Sequence, residues 1–229
     1  MNNPDKEYTV KTAKTSEEVR KQFEHLFSDF YPTSVQYRAY LQARTQILER
    51  LIRVNATMRA LVESTPLLQS KKMSPRFFCV LRAIIYLFYV ELVGNFYVNL
   101  AMLLLVGKGH VLHLEPDRKH GYIRHATSLK EIELATLSVK LDFLKSKGLD
   151  LFRKWIDTSL RNKIAHSDFD VDDNGNFFLV NAKGQRKKVD LMQKMQTFMD
   201  YYNAIVPAFN EYIFGKTEKT KKQSNAHTV

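Results

Sequence analysis

The sequence has a single cysteine, Cys79, so no disulfide can form within the chain and disulfide-built secreted folds are excluded. A reducing, cytoplasmic setting is the expectation. Nor does the N-terminal run MNNPDKEYTVKTAKTSEEV contain the apolar stretch that a secretory leader needs, so none is expected. No internal repeat is visible, which argues against a solenoid. Acidic residues are in deficit: 24 Asp and Glu stand against 35 Lys and Arg, a formal charge of +11. Such an excess attracts a polyanion through counterion release, or it serves solubility alone; charge by itself does not choose.

What is present fits a globular protein. The 229 residues are 45% hydrophobic and 26% charged, enough for one domain with a full core. Residues 1–15 are polar and expected to be disordered. A helix is expected from Ser16, where SEEV puts acids in the first turn, up to Pro32. A second should run from Ser34 to Ser64, with Tyr40, Ile47, Leu51, Val54, Met58 and Leu61 mostly at three- and four-residue steps.

The run from Pro75 to Val106 is the most apolar, and by length it can span a bilayer. Arg82, Glu91, Asn95 and Asn99 interrupt it, and the last three lie four apart, on one helical face. An acid and two amides are costly in lipid, so the expectation is a core helix with one polar stripe, not a membrane span. A loop covers 107–126, and SLKE at Ser128 reads as a capping box opening a helix to Gly148. The next helix runs from Leu149 to His166, with Phe152, Ile156, Leu160 and Ile164 at four-residue steps. In FDVDDNGNFFLV the period changes, and Asn174-Gly175 signals a hairpin. A second turn follows near Gly184, making a β-meander insertion over about residues 168–189. A last helix covers 190–214, and a basic, disordered tail follows from 215 to 229. The predicted fold is mainly α: a single domain over 16–214, a bundle of about five or six helices with a short β insertion.

The residues that carry chemistry cluster in RNKIAHSDFD. Asn162 and His166 are four apart and share a helical face, whereas Arg161 and His166 are roughly 140° apart around an ideal helix. They converge only if the helix ends at His166, or if two copies meet along this edge. An arginine fork matches a phosphate and holds developing charge, and a histidine moves protons near neutrality. The plainer reading is that Arg161 and His166 are cations at a helix C-terminus.

Other segments support two readings each. The histidines of GKGHVLHLEPDRKHGYIRHA match no zinc signature; they read as a solvated loop, or as an RNA contact with Tyr122 stacking and Arg118, Lys119 and Arg124 on phosphates. Asp170, Asp172, Asn174 and Gly175 copy half of a calcium loop, but its last position holds Asn181, and a hairpin turn explains them without metal. GQRKK and the tail lysines either track a phosphate backbone or guard a sheet edge.

The segment LRNKIAH resembles the R-x4-6-H signature of the HEPN superfamily, with Asn162 directly after Arg161 as in the commonest form of that motif. Its placement at the end of a late helix in an all-helical bundle is similar too. The hairpin after the histidine resembles the abortive-infection, AbiF/AbiD-like branch of phage-defence proteins. The resemblance covers about Ser34 to Phe214 and is close at residue level only in the motif and hairpin.

It implies a dimeric, metal-independent endoribonuclease acting in phage defence or as a toxin, with a composite site where two motif helices meet. A ribose 2′-OH would attack its own 3′-phosphate, leaving a 2′,3′-cyclic phosphate and a 5′-OH. His166 would move the proton, Arg161 hold the charge, and Asn162 position one of them. Glu91, from the earlier helix, would orient Arg161 or pair with His166; a buried network fixing helix register is the alternative. Asn95, Tyr122, Arg124 and Lys163 are the expected RNA contacts. Expected partners are RNA, a second copy, and an antitoxin or small RNA; no cofactor, metal or membrane is expected. A HEPN-like module that binds RNA or protein without cutting is the other class.

Overall fold

The computed structural model describes residues 4–28, 74–113, 125–126 and 129–211, and six positions between Gln42 and Ala56. Those six, Gln42, Thr45, Glu49, Ile52, Arg53 and Ala56, are helical and exposed. The remainder of the expected 34–64 helix, and the basic tail, lie outside the described residues. The fold is mainly α with a small antiparallel sheet, as the sequence predicts.

Helix α1 spans Pro4–Phe27, starting well before the expected Ser16: Pro4 suits a first helical position, and no glycine or further proline follows to break the run. The apolar stretch is two helices, α2 (Pro75–Phe88) and α3 (Asn95–Gly107), separated by a π-helical turn at Tyr89–Gly94. Ser74 caps α2, its hydroxyl accepting from the Phe77 N–H at 3.3 Å. A short ladder, Leu112–His113 (β1) with His125–Ala126 (β2), lies inside the expected loop.

Two expected single helices are each broken. The run after Ser128 becomes α4 (Leu129–Leu134) and α5 (Leu137–Ser146), because Thr136 caps a new start by accepting from Val139 N–H at 3.4 Å. The motif run becomes α6 (Leu151–Trp155) and α7 (Thr158–Ala165), because Asp157 caps α7 through the Leu160 N–H at 3.0 Å. Side chains that bond the nearby backbone compete with helix continuation, and the apolar period does not report them.

The meander is β3 (Phe169–Val171), β4 (Phe177–Val180) and β5 (Arg186–Val189), in that spatial order. Both turns use one device. Asp172 accepts the N–H groups of Asn174 and Asn176, and Asn181 accepts those of Lys183 and Gln185. Gly175 and Gly184 then take the left-handed position. Helix α8 covers Leu191–Phe209.

The chain divides into two compact units. The first comprises Met1–Ala39, Val98–Trp155 and Gln196–Val229. Its core is aromatic: Phe23 meets Phe27 and Phe209, and Trp155 lies tilted against Phe198 while its indole N–H donates to the Phe198 carbonyl at 2.9 Å. Val98, Leu100, Ala101, Met102, Leu104 and Leu105 are buried around the whole of α3, the mark of a core helix. The second comprises Tyr40–Tyr97 and Ile156–Met195. In it α2 packs on α7 and β3, and the first hairpin turn seats on the start of α2. A Cβ at Gly175 would meet the Pro75 carbonyl oxygen at 2.9 Å, so glycine is required there twice over.

Candidate active site

The RNKIAH segment lies in the second unit, on α7. Its start is held by Asp157, whose carboxylate caps the helix and takes the Lys194 ammonium at 2.7 Å. Burial would raise the Asp157 carboxyl; the Leu160 N–H and Lys194 outweigh it and hold it below its ordinary value. Beneath, Tyr86 of α2 is buried, which pushes its phenol far up, with the Asp157 charge adding to the effect.

The end of α7 is held by the backbone. His166 is the C-cap, and Ser167 adopts φ 58, the left-handed region that disfavours a side chain. Ser167 N–H donates to the Ile164 carbonyl at 3.1 Å, and Asp168 N–H to the Lys163 carbonyl at 2.7 Å, the two bonds of a Schellman closure. Helical geometry therefore stops at Ala165, and His166 leaves the ideal-helix register.

Between these ends sits a polar cluster. Arg161 Nε donates to Glu91 Oε1, and its Nη1 donates to Asn162 Oδ1 at 2.8 Å. Glu91 comes from the π-helical turn. Such a turn carries an extra residue, and it is a frequent feature of functional sites. The pair is partly sheltered, Arg161 at 28% and Glu91 at 32% exposure, which makes it an orienting contact more than a source of stability. Arg161 Nη2, the Asn162 amide N–H groups and the exposed His166 imidazole have no partner among the described residues. The arrangement offers an oriented guanidinium edge and an amide donor midway along α7, and an imidazole at its C-cap.

The other expected site residues are distributed differently. Lys163 bonds Asp168 at 3.0 Å and the Val180 carbonyl at 2.9 Å, tying α7 to the meander; its ammonium is committed within the protein. Asn95 opens α3, half-buried. Asn99 belongs to the other unit, buried, with its Oδ1 unbonded among the described residues. Tyr122 and Arg124 lie outside the described residues. The Asp172 carboxylate is occupied by its own turn, including Asn176 Nδ2 at 2.8 Å. Among the described residues no three metal-ligating side chains gather. In the first unit, His110 and His113 line an open cavity of about 640 Å³ with Asp142, Phe143 and Lys147. Burial there, with Lys147 and Lys108 nearby, lowers the His110 pKa.

Sequence reasoning missed the π-helical turn, the Asp157–Lys194 clasp and the Ser167 conformation. Only Asp157 had a signal, an Asp-Thr-Ser run of cap formers inside an apolar stripe. Comparison of the chain with family models, with curated proteins and with solved structures finds no match.

Proposed function

We propose that the chain is a metal-independent endoribonuclease of the HEPN kind, acting in the cytoplasm in phage defence or as a toxin. One observation carries the reading: Arg161, midway along α7, is oriented by Glu91 and Asn162, and the same helix closes on an exposed His166. His166 takes or returns the proton of the ribose 2′-OH or the leaving 5′-oxygen. Arg161 steadies the charge on the phosphorus-bound oxygens, and Asn162 donates to one of them. Cleavage leaves a 2′,3′-cyclic phosphate and a 5′-OH. A second copy meeting along α7 places one protomer's Arg161 beside its partner's imidazole, which removes the angular separation along a single helix.

The Glu91 partner also favours a second reading. A carboxylate on Nε offsets the guanidinium charge, which suits a module that binds RNA or protein without cutting. Digestion of labelled RNA in EDTA, with end-group analysis, separates the two. Cyclic-phosphate ends that vanish in His166→Ala support the nuclease. Intact RNA at every enzyme concentration sinks it.

A further inference from the structure

The meander presents two faces of different character. Its register aligns Asp170, Phe178 and Lys188 across the strands, and Val180 with Arg186. Strand alternation sets these on one face and Val171, Phe177 and Val189 on the other. Val171 and Phe177 are buried, so that second face is inward; Arg186 and Lys188 are exposed, so the first faces water.

An aromatic ring on a water-facing sheet needs a reason, and here it has a fitted partner. The Arg186 guanidinium carbon lies 4.2 Å from the Phe178 ring centroid, and Arg186 Nη2 meets Asp170 Oδ2 at 2.9 Å. Ring and carboxylate hold the guanidinium from two sides, yet its side chain stays 45% exposed. A guanidinium held in this way is a stacking surface for a nucleobase.

The charge around it is unevenly placed. Three acids of the meander pair with cations, Asp168 with Lys163, Asp170 with Arg186 and Asp173 with Arg76, while Asp172 and Asp190 keep their charge and accept N–H groups of their own turns. Lys183, Lys187 and Lys188 have no ion pair among the described residues. These exposed lysines gather on β5 and the turn before it, away from the acids of the first turn. Edge lysines suffice to block strand pairing, but that role requires no arginine laid over an aromatic ring. The sheet is also anchored to the motif: Val180 N–H donates to the Asp168 carbonyl at 2.9 Å, two residues after His166.

We propose that the outward face of this sheet is a platform for single-stranded RNA, on which Arg186, laid over Phe178, stacks an unpaired base while Lys188 holds a neighbouring phosphate. The proposal rests on RNA being the substrate of the α7 site and specifies its form: an unpaired strand, since a duplex hides its base faces.

The test uses the full chain carrying His166→Ala, a fluorescein-labelled single-stranded RNA of mixed sequence and the same RNA as a duplex, read by fluorescence anisotropy. The single strand should bind more tightly than the duplex. Arg186→Lys, which keeps the charge and loses the plane, should weaken single-strand binding about tenfold, and Arg186→Gln at least as much. Lys188→Gln should reduce the slope of log affinity against log salt by about 0.7. Exposed Lys130→Gln should change neither measure. Equal binding of Arg186→Lys and the parent, equal affinity for duplex, or no RNA binding at all overturns the platform.

Cutting by the chain with His166 intact is scored separately. Cutting that persists with unchanged KM in Arg186→Lys removes the platform and leaves the nuclease. Arg186-dependent binding by a chain that never cuts removes the nuclease and leaves the platform.

Discussion

Helices α5 and α7 end on the same pair of backbone hydrogen bonds and fill the motif with opposite residues. At α5, Gly148 takes the left-handed position at φ 88, with N–H groups of Gly148 and Leu149 donating to Lys145 and Leu144. Leu149 then buries completely. At α7 the corresponding residues are Ser167, a side chain in a glycine conformation, and Asp168, exposed beside Lys163. The α5 end follows every local rule for stability; the α7 end breaks two of them next to the titratable His166. Local rules broken together are a pattern that functional sites share, and here they fall beside the residue proposed to move the proton. With the proposed nuclease, the comparison predicts a double dissociation: substitutions at the α7 end alter RNA cutting, and substitutions at the α5 end alter folding.

The largest effect is expected at His166. His166→Ala should lower the RNA-cutting rate about 10²–10⁴-fold, the range of a lost general acid or base. Its imidazole is exposed and has no partner among the described residues, so the urea midpoint should stay within about 0.5 kcal/mol of the parent. Unfolding that shifts as much as activity would erase the contrast. At the other end, Leu149→Ala should cost about 2–5 kcal/mol, because it empties a fully buried site. Asp168→Ala, at the corresponding position, loses only an exposed ion pair and should cost about 1 kcal/mol or less. Similar costs at both sites would show that α7 ends on packing after all.

The start of α7 sharpens the comparison. Asp157→Ala removes a cap and the Lys194 partner, and should cost about 1–2 kcal/mol near neutral pH. The Asp157 carboxyl lies lower in the folded chain than in the unfolded one. Its contribution is therefore present above the ordinary carboxylate pKa and is lost as pH falls through the folded value. Chemical denaturation across acid pH should show the parent and Asp157→Ala converging as pH falls. Curves that stay parallel would remove the charge from the clasp.

What the sequence disclosed follows from how local each cause is. Asn174-Gly175 announced its turn because the turn is made by its own residues. The resemblance implies that Glu91 orients Arg161 or pairs with His166, and the alternative is a buried network; Glu91 meets Arg161, yet its stripe is not one site: a π-helical turn intervenes, and Glu91, Asn95 and Asn99 have different surroundings. Nothing in YVELVG signals that turn, since the two flanking helices keep good helical composition through it. The break at Asp157 was hidden for a related reason: Phe152, Ile156, Leu160 and Ile164 keep their spacing across it. Lys163, expected to contact RNA, is held instead by Asp168 and by the Val180 carbonyl, a partner that arrives only through the tertiary fold.

The smallest effect tests the strained position itself, and its sign depends on two opposing terms. A non-glycine residue in the left-handed region costs about 1–2 kcal/mol, which Ser167→Gly would recover. Glycine also loosens the unfolded chain, which costs about 0.4–1 kcal/mol. The first term is the larger, so Ser167→Gly should stabilise by about 0.5 kcal/mol, and thermal unfolding should register it as a small rise in Tm. Gly148→Ala is the mirror experiment: an added Cβ meets nothing within 4 Å, so the same two terms act with reversed sign and the loss should be of similar size. The Schellman bonds that place His166 come from the backbone N–H groups of residues 167 and 168, and they survive in Ser167→Gly. The cutting rate should therefore hold while stability rises. Destabilisation would mean that the serine hydroxyl supports the fold; a lost rate at unchanged stability would make Ser167 part of the chemistry.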